Sequence, residues 1–125
     1  MIRRTFAVVA IVAAILACSK VATLDALDRH DMFITFRQPV ALPGVTLLPG
    51  TYIFEIPDIH QRHVVRVLSR NRSRLYLTAL TTEVSRPATL RPNQAITFAE
   101  GRRDEPVRVS VWWPKDDLTG RQFAY

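Results

Sequence analysis

From Met32 onward the hydrophobic positions fall in short runs broken by Pro and Gly, a rhythm that predicts strands of about five residues separated by turns. The candidate strands are 32–37, 45–47, 51–56, 63–68, 75–82, 95–99, 107–113 and 122–124. Within 51–56 the period of two sends Tyr52, Phe54 and Ile56 to one side and Thr51, Ile53 and Glu55 to the other. Val107, Val109, Val111 and Trp113 repeat that spacing against Arg108, Ser110 and Trp112. Proline cannot donate to a sheet ladder, so Pro39, Pro43, Pro49, Pro57, Pro87, Pro92, Pro106 and Pro114 mark strand edges and loops. Pro49-Gly50 reads as a type II turn launching the strand that follows, and Pro43-Gly44 is a similar pair six residues earlier. The segment between these pairs either crosses between sheets or forms a tight edge hairpin. No stretch beyond residue 31 keeps a helical period. Half-buried strands in so short a domain must pack sheet on sheet or curl. The expected fold is all-β: a small antiparallel β-sandwich, or a partly open barrel, of seven to eight short strands.

The first eighteen residues have a different character. Arg3 and Arg4 precede an uncharged apolar run, 6–17, which ends at Cys18, the chain's single cysteine. A positive start, a short apolar segment and small residues at its end make a secretory signal, and the run falls short of the roughly 20 residues that span a bilayer. Residues 1–18 are therefore expected to be a signal peptide, 19–31 a leader or short helix, and 32–125 one β domain. Two processing outcomes stay open. Ile15, Leu16, Ala17 and Cys18 fit a loose lipobox, which would leave Cys18 lipidated and the domain membrane-anchored; Ala17, Cys18 and Ser19 fit ordinary cleavage and a free product. Arg3, Arg4 and Phe6 also echo a twin-arginine signal, but the short, strongly apolar run favours general export. Either route places the domain in the periplasm or outside the cell. With one cysteine no internal disulfide can form, so stability must come from the core.

Charge adds a candidate surface. The chain has 17 basic and 11 acidic residues, and loss of the signal would leave a net charge near +4, with only Lys20 and Lys115 as lysines. Arg62, Arg66, Arg70, Arg72 and Arg74 concentrate in one expected hairpin whose tip is 69–73. Guanidinium groups pair bidentately with phosphate or carboxylate, so this hairpin is a candidate docking patch for lipopolysaccharide, lipid headgroups or an acidic glycan, or for another protein. A solvated edge that resists aggregation explains the same charges. Nucleic acid is not an expected partner, since only Tyr76 could supply stacking nearby.

Other constellations carry less. His60, His63 and Asp58 contain metal-ligating groups, yet residues three apart on a strand face opposite ways, and His30 is distant in sequence. Adjacent Trp112 and Trp113 must also diverge, one into the core and the other outward or under loop 114–120, covered there by Phe123 or Tyr125. Asp116 and Asp117 read as turn formers, because glycoside hydrolysis needs two carboxylates facing each other across a substrate. No nucleophile motif, phosphate loop or paired histidine is present, so neither catalysis nor a cofactor is expected. The sequence points to an exported envelope module that binds or builds. An accessory hydrolase or metal-dependent enzyme using His60, His63, Asp116 and Asp117 is the alternative, and a component that self-assembles through an exposed strand edge is a third.

Phe36, Pro39-Val40, Pro43-Gly44, Leu48-Pro49-Gly50-Thr51-Tyr52-Ile53-Phe54, Arg62-His63-Val64-Val65, Ile96-Thr97-Phe98-Ala99-Glu100, Trp113-Pro114, Gly120 and Phe123-Ala124-Tyr125 follow one another in an order that resembles a family of uncharacterised small exported bacterial proteins. The resemblance spans residues 33–125 and implies a signal peptide followed by one β-rich domain. It implies no active site.

Overall fold

The computed structural model describes residues 30–125, and the expected signal peptide, Cys18 and most of the expected leader lie outside the described residues. Nine strands follow one another along the chain: β1 (His30–Phe36), β2 (Val40–Leu42), β3 (Val45–Leu47), β4 (Gly50–Ile56), β5 (Val64–Ser69), β6 (Leu75–Ser85), β7 (Ile96–Phe98), β8 (Val107–Trp112) and β9 (Thr119–Phe123). There is no helix among the described residues, and all eight prolines lie between strands. The expected strands are present with edges moved by a few residues. β1 starts two residues before the expected strand, inside the expected leader, so His30 opens a strand, and β2 is an addition.

The strands form one open mixed sheet in the order β1-β4-β5-β6-β9-β8-β2-β3, with β7 on the other side of β8. All ladders are antiparallel except one: Val40 and Ala41 of β2 run parallel to Val107 and Arg108 of β8. That pair corrects the wholly antiparallel expectation. It joins residues more than sixty apart in sequence, and a local alternation pattern carries no signal for such pairing.

The sheet curves enough for its two ends to share one core. Phe54 of β4 lies 5.7 Å from Trp112 of β8, and Phe36 of β1 lies 6.4 Å from Phe98 of β7, ring centre to ring centre. Leu42 and Leu47 of the β2–β3 hairpin, with Val65, Val67 and Phe123, complete this cluster. Burying each such side chain stabilises the fold by about 1.5–3 kcal/mol.

Two expectations fail at irregular points. Val109 pairs with Phe98 and Val111 with Thr97, so β8 advances two residues while β7 advances one. This bulge reverses the alternation. Val109 and Trp112 therefore both face the core, whereas Val111 and Trp113 occupy the other face. Trp113 is buried beside Gly120 under the guanidinium of Arg86, and neither Phe123 nor Tyr125 covers it. Gly120, expected to close a loop, pairs with Val84 inside β9. The second failure concerns the turns. Gly44 has φ +73° after Pro43, as a type II turn requires, and closes the two-residue β2–β3 edge hairpin. Gly50 begins β4 opposite Phe36 with φ 158°, close to extended backbone, so Pro49-Gly50 is not that turn.

Candidate functional site

The arginine-rich hairpin is built on the outward face of β4, β5 and β6. Glu55 pairs with both Asp31 and Arg66, so these three side chains form one row across the sheet. Residues 70–74 then turn back over that row. Asn71 Oδ1 accepts from the Ser73 amide at 3.1 Å, and Ser69 Oγ accepts from the Arg74 amide at 3.0 Å, which fixes the tip. Arg72 takes a left-handed φ of 62° within it, and its side chain lies across the sheet.

Arg72 reaches two carboxylates. Its Nη1 donates to Glu55 Oε2 at 2.8 Å and its Nη2 to Asp31 Oδ2 at 2.7 Å. Arg66 donates to Glu55 Oε1 from Nε at 3.0 Å and from Nη2 at 2.7 Å. Glu55 is fully buried between them. Burial alone would raise its pKa, but hydrogen bonds from Arg72 and Arg66 outweigh that and hold the carboxyl below its ordinary value. The bond to Glu55 likewise raises the Arg72 pKa.

The five arginines thus have different duties. Arg66 and Arg72 are neutralised by Glu55 and Asp31, and Arg62 donates to Asp117 Oδ2 at 3.2 Å, near the opposite end of β5. Arg74 lies 4.9 Å over the ring of Tyr76. Arg70 is exposed, and neither it nor Arg74 has a carboxylate within 4.0 Å among the described residues.

A second ionic cluster closes the other end of the core. Arg121 pairs across the strands with Trp112 and with Glu83, which puts its fully buried side chain on the core-facing side. Its Nε donates to the Arg62 carbonyl at 2.7 Å, and its Nη1 to Thr119 Oγ1 at 2.9 Å. Its Nη2 lies 3.3 Å from Glu83 and 3.5 Å from Asp117. Burial pushes the Arg121 pKa down and the two carboxylates oppose that, although a guanidinium keeps its proton throughout. Burial would raise Asp117, but hydrogen bonds from Thr119 and the charges of Arg121 and Arg62 lower it overall.

The residues of the alternative enzyme reading are not assembled. His60 and His63 are exposed, and Asp58 Oδ1 accepts the His60 amide at 2.9 Å as an ordinary turn. Asp117 is committed to Arg62, Arg121 and Thr119, while Asp116 is exposed with a left-handed φ of 61°. Among the described residues no three His, Cys, Asp or Glu side chains come close enough to hold a metal ion.

Sequence reasoning missed Glu55, Asp31 and Arg121. The one available signal was a carboxylate inside an otherwise apolar strand, which acquires meaning only when the register sets Arg66 beside it. Compared with known proteins, the chain matches no family model, no curated protein and no solved structure.

Proposed function

We propose that this chain is an exported, non-catalytic module of the cell envelope whose β5–β6 hairpin docks an anionic component: lipopolysaccharide phosphate, lipid headgroups or an acidic glycan. In this reading the curved sheet is a small sandwich on the way to a partly open barrel, and it serves as a rigid support for the tip. One observation carries the proposal. The tip is fixed by its Ser69 and Asn71 hydrogen bonds and strapped down by Arg72, so Arg70 and Arg74 are presented without internal counter-charges on a backbone already ordered. An ordered backbone beneath two cations lowers the entropy cost of meeting phosphate or carboxylate. Arg66 and Arg72 hold the tip, and Arg62 belongs to the other end. A hydrolase or metal enzyme gains no support from the geometry of His60, His63, Asp116 and Asp117.

Co-sedimentation of the chain with phosphatidylglycerol vesicles, and its retention on an immobilised sulfated glycan, test the docking. Each basic residue near an anionic surface contributes about 1 kcal/mol, so an R70A/R74A double variant should bind roughly thirtyfold more weakly. Raised salt should abolish the remaining difference. Both side chains are outside the core, so thermal stability should fall only slightly, by the roughly 0.5–1 kcal/mol of the Arg74–Tyr76 contact. Undiminished binding by the double variant would remove the hairpin from the proposal.

A further inference from the structure

We propose that the seam between β1 and β7 is a docking channel for one extended strand of an acidic partner protein, and that this strand closes the open sheet into a ring. The site is separate from the arginine hairpin and does not depend on its function.

Each of these strands is hydrogen-bonded on one side only among the described residues, β1 to β4 and β7 to β8. Yet they face each other, since the rings of Phe36 and Phe98 meet edge-on across the seam. Two hollows lie along it. One, of about 400 Å³, has Phe36 and Arg37 at the end of β1 on one side and Phe98 on the other, and the laddered pair Val40 and Val107 completes its lining. The second, of about 660 Å³, touches β1 at Met32 and the approach to β7 at Gln94, and the rest of its lining is Arg86 and the loops 92–93 and 113–118. Both volumes lie in the range of ligand sites, the first at the Phe36 end of β1 and the second at its Met32 end.

Among the described residues nothing covers the edge of β1. Natural proteins blunt long free edges with proline, lysine, bulges or brevity. β1 has neither Pro nor Lys, its seven residues pair with β4 in unbroken register, and its one carboxylate, Asp31, is taken up by Arg72. β3, which ends the sheet's other limb, has only three residues and is set between Gly44 and Pro49. The difference marks β1 as an edge left open to accept a strand.

The occupant follows from shape and charge. A second folded copy could not bring its sheet edge against β1, because β7 stands across the seam, and both copies would carry the net +4 of residues 30–125. A single extended segment can lie there. Its backbone would satisfy the β1 donors and acceptors that have no partner among the described residues, while alternate apolar side chains would enter between Phe36 and Phe98. An acyl chain would fill the hollow and leave those backbone groups unpaired. Arg37 is the one charged group lining the upper hollow, and no carboxylate lies within 4.0 Å of it among the described residues, so an acidic side chain on the strand would meet it.

The test is a titration of the ¹⁵N-labelled chain with a blocked seven-residue peptide of alternating valine and glutamate, followed by amide shifts. Saturable shifts along β1 and β7 are expected, and they should persist in the R70A/R74A variant. Phe98→Ala removes a half-exposed ring and Arg37→Glu reverses the rim charge; each should weaken binding about tenfold, as loss of an interface anchor does. A peptide N-methylated at alternate amides, which cannot join a ladder, should not bind. The proposal is overturned by the absence of shifts, by shifts confined to residues 70–74, or by undiminished binding of the methylated peptide. It is equally overturned if dodecyl phosphate shifts the seam where the peptide does not, or if β1 shifts with protein concentration alone, which would make the occupant a second copy.

Discussion

Glu55 shows how much one side chain decides. It is a buried carboxylate on the face that strand alternation assigns to solvent, and it is held there by guanidinium groups arriving from β5 and from the hairpin tip. Removing one member of a buried ion pair typically costs 3–5 kcal/mol, but Arg66 and Arg72 keep 38% and 35% of their side-chain surface and can rehydrate. Glu55→Gln should therefore destabilise by about 1–3 kcal/mol, read as a lower urea midpoint. Because the folded pKa of Glu55 lies below its ordinary value of 4.5, its contribution is complete above that pH and disappears as pH falls through the folded value. The wild-type chain should lose stability on acidification more steeply than the Gln variant; parallel curves would show that Glu55 is not the titrating strut. The arginine cluster was legible in the sequence, but its division of labour was not, because Glu55 gains its partners through register and through the left-handed turn at Arg72. Gly120 carries a comparable constraint. A Cβ built there falls 2.5 Å from the Trp113 ring, so Gly120→Ala should cost about 1–3 kcal/mol by overpacking, with a matching fall in melting temperature.

At the scale of elements, period-two alternation located β1, β4, β5, β6 and β8 because each has one face on a common core. It failed in three places for separate reasons. β2 is three residues long and contains no complete alternation to read. The bulge in β8 changes which residues face inward, and a bulge depends on pairing with β7 rather than on the β8 sequence alone. Pro49-Gly50 and Pro43-Gly44 look equivalent as dipeptides, yet the two-residue β2–β3 loop demands a positive φ at Gly44, whereas Gly50 is drawn into a ladder with β1. Substitution separates these roles. The space around Gly44 is open within 4 Å, so Gly44→Ala meets only the left-handed backbone penalty, about 1–2 kcal/mol. Gly44→Asn should lose less, since asparagine tolerates that conformation. Equal losses measured by chemical denaturation would mean that φ at Gly44 is not what limits the hairpin.

At the scale of the whole molecule, the parallel contact between β2 and β8 spans two residue pairs, too few to hold two chain segments together unaided. The last residue reinforces it. Tyr125 Oη lies 2.6 Å from the Val109 carbonyl of β8 and 2.9 Å from the Ala41 carbonyl of β2, and its single proton can be donated to either. Arg108 sits 5.3 Å over the same ring. Burial pushes the phenol pKa up to about 12, against the opposing charge of Arg108. Since the folded value lies above the ordinary 10.0, the fold favours the neutral phenol; the stability this supplies is complete below pH 10.0 and is lost as pH rises toward the folded value. Tyr125→Phe keeps the ring over Arg108 and removes only the hydroxyl. It should speed hydrogen exchange at Val40 to Leu42 while leaving β4 and β5 amides protected, because β4 and β5 are braced by their own ladders and by the core. As pH rises toward about 12 the wild-type chain should converge on the variant's exchange pattern as the phenolate forms and can no longer donate. Unchanged β2 exchange in the Phe variant would show that the hydrophobic contacts of Val40 and Leu42 alone keep the limb in place.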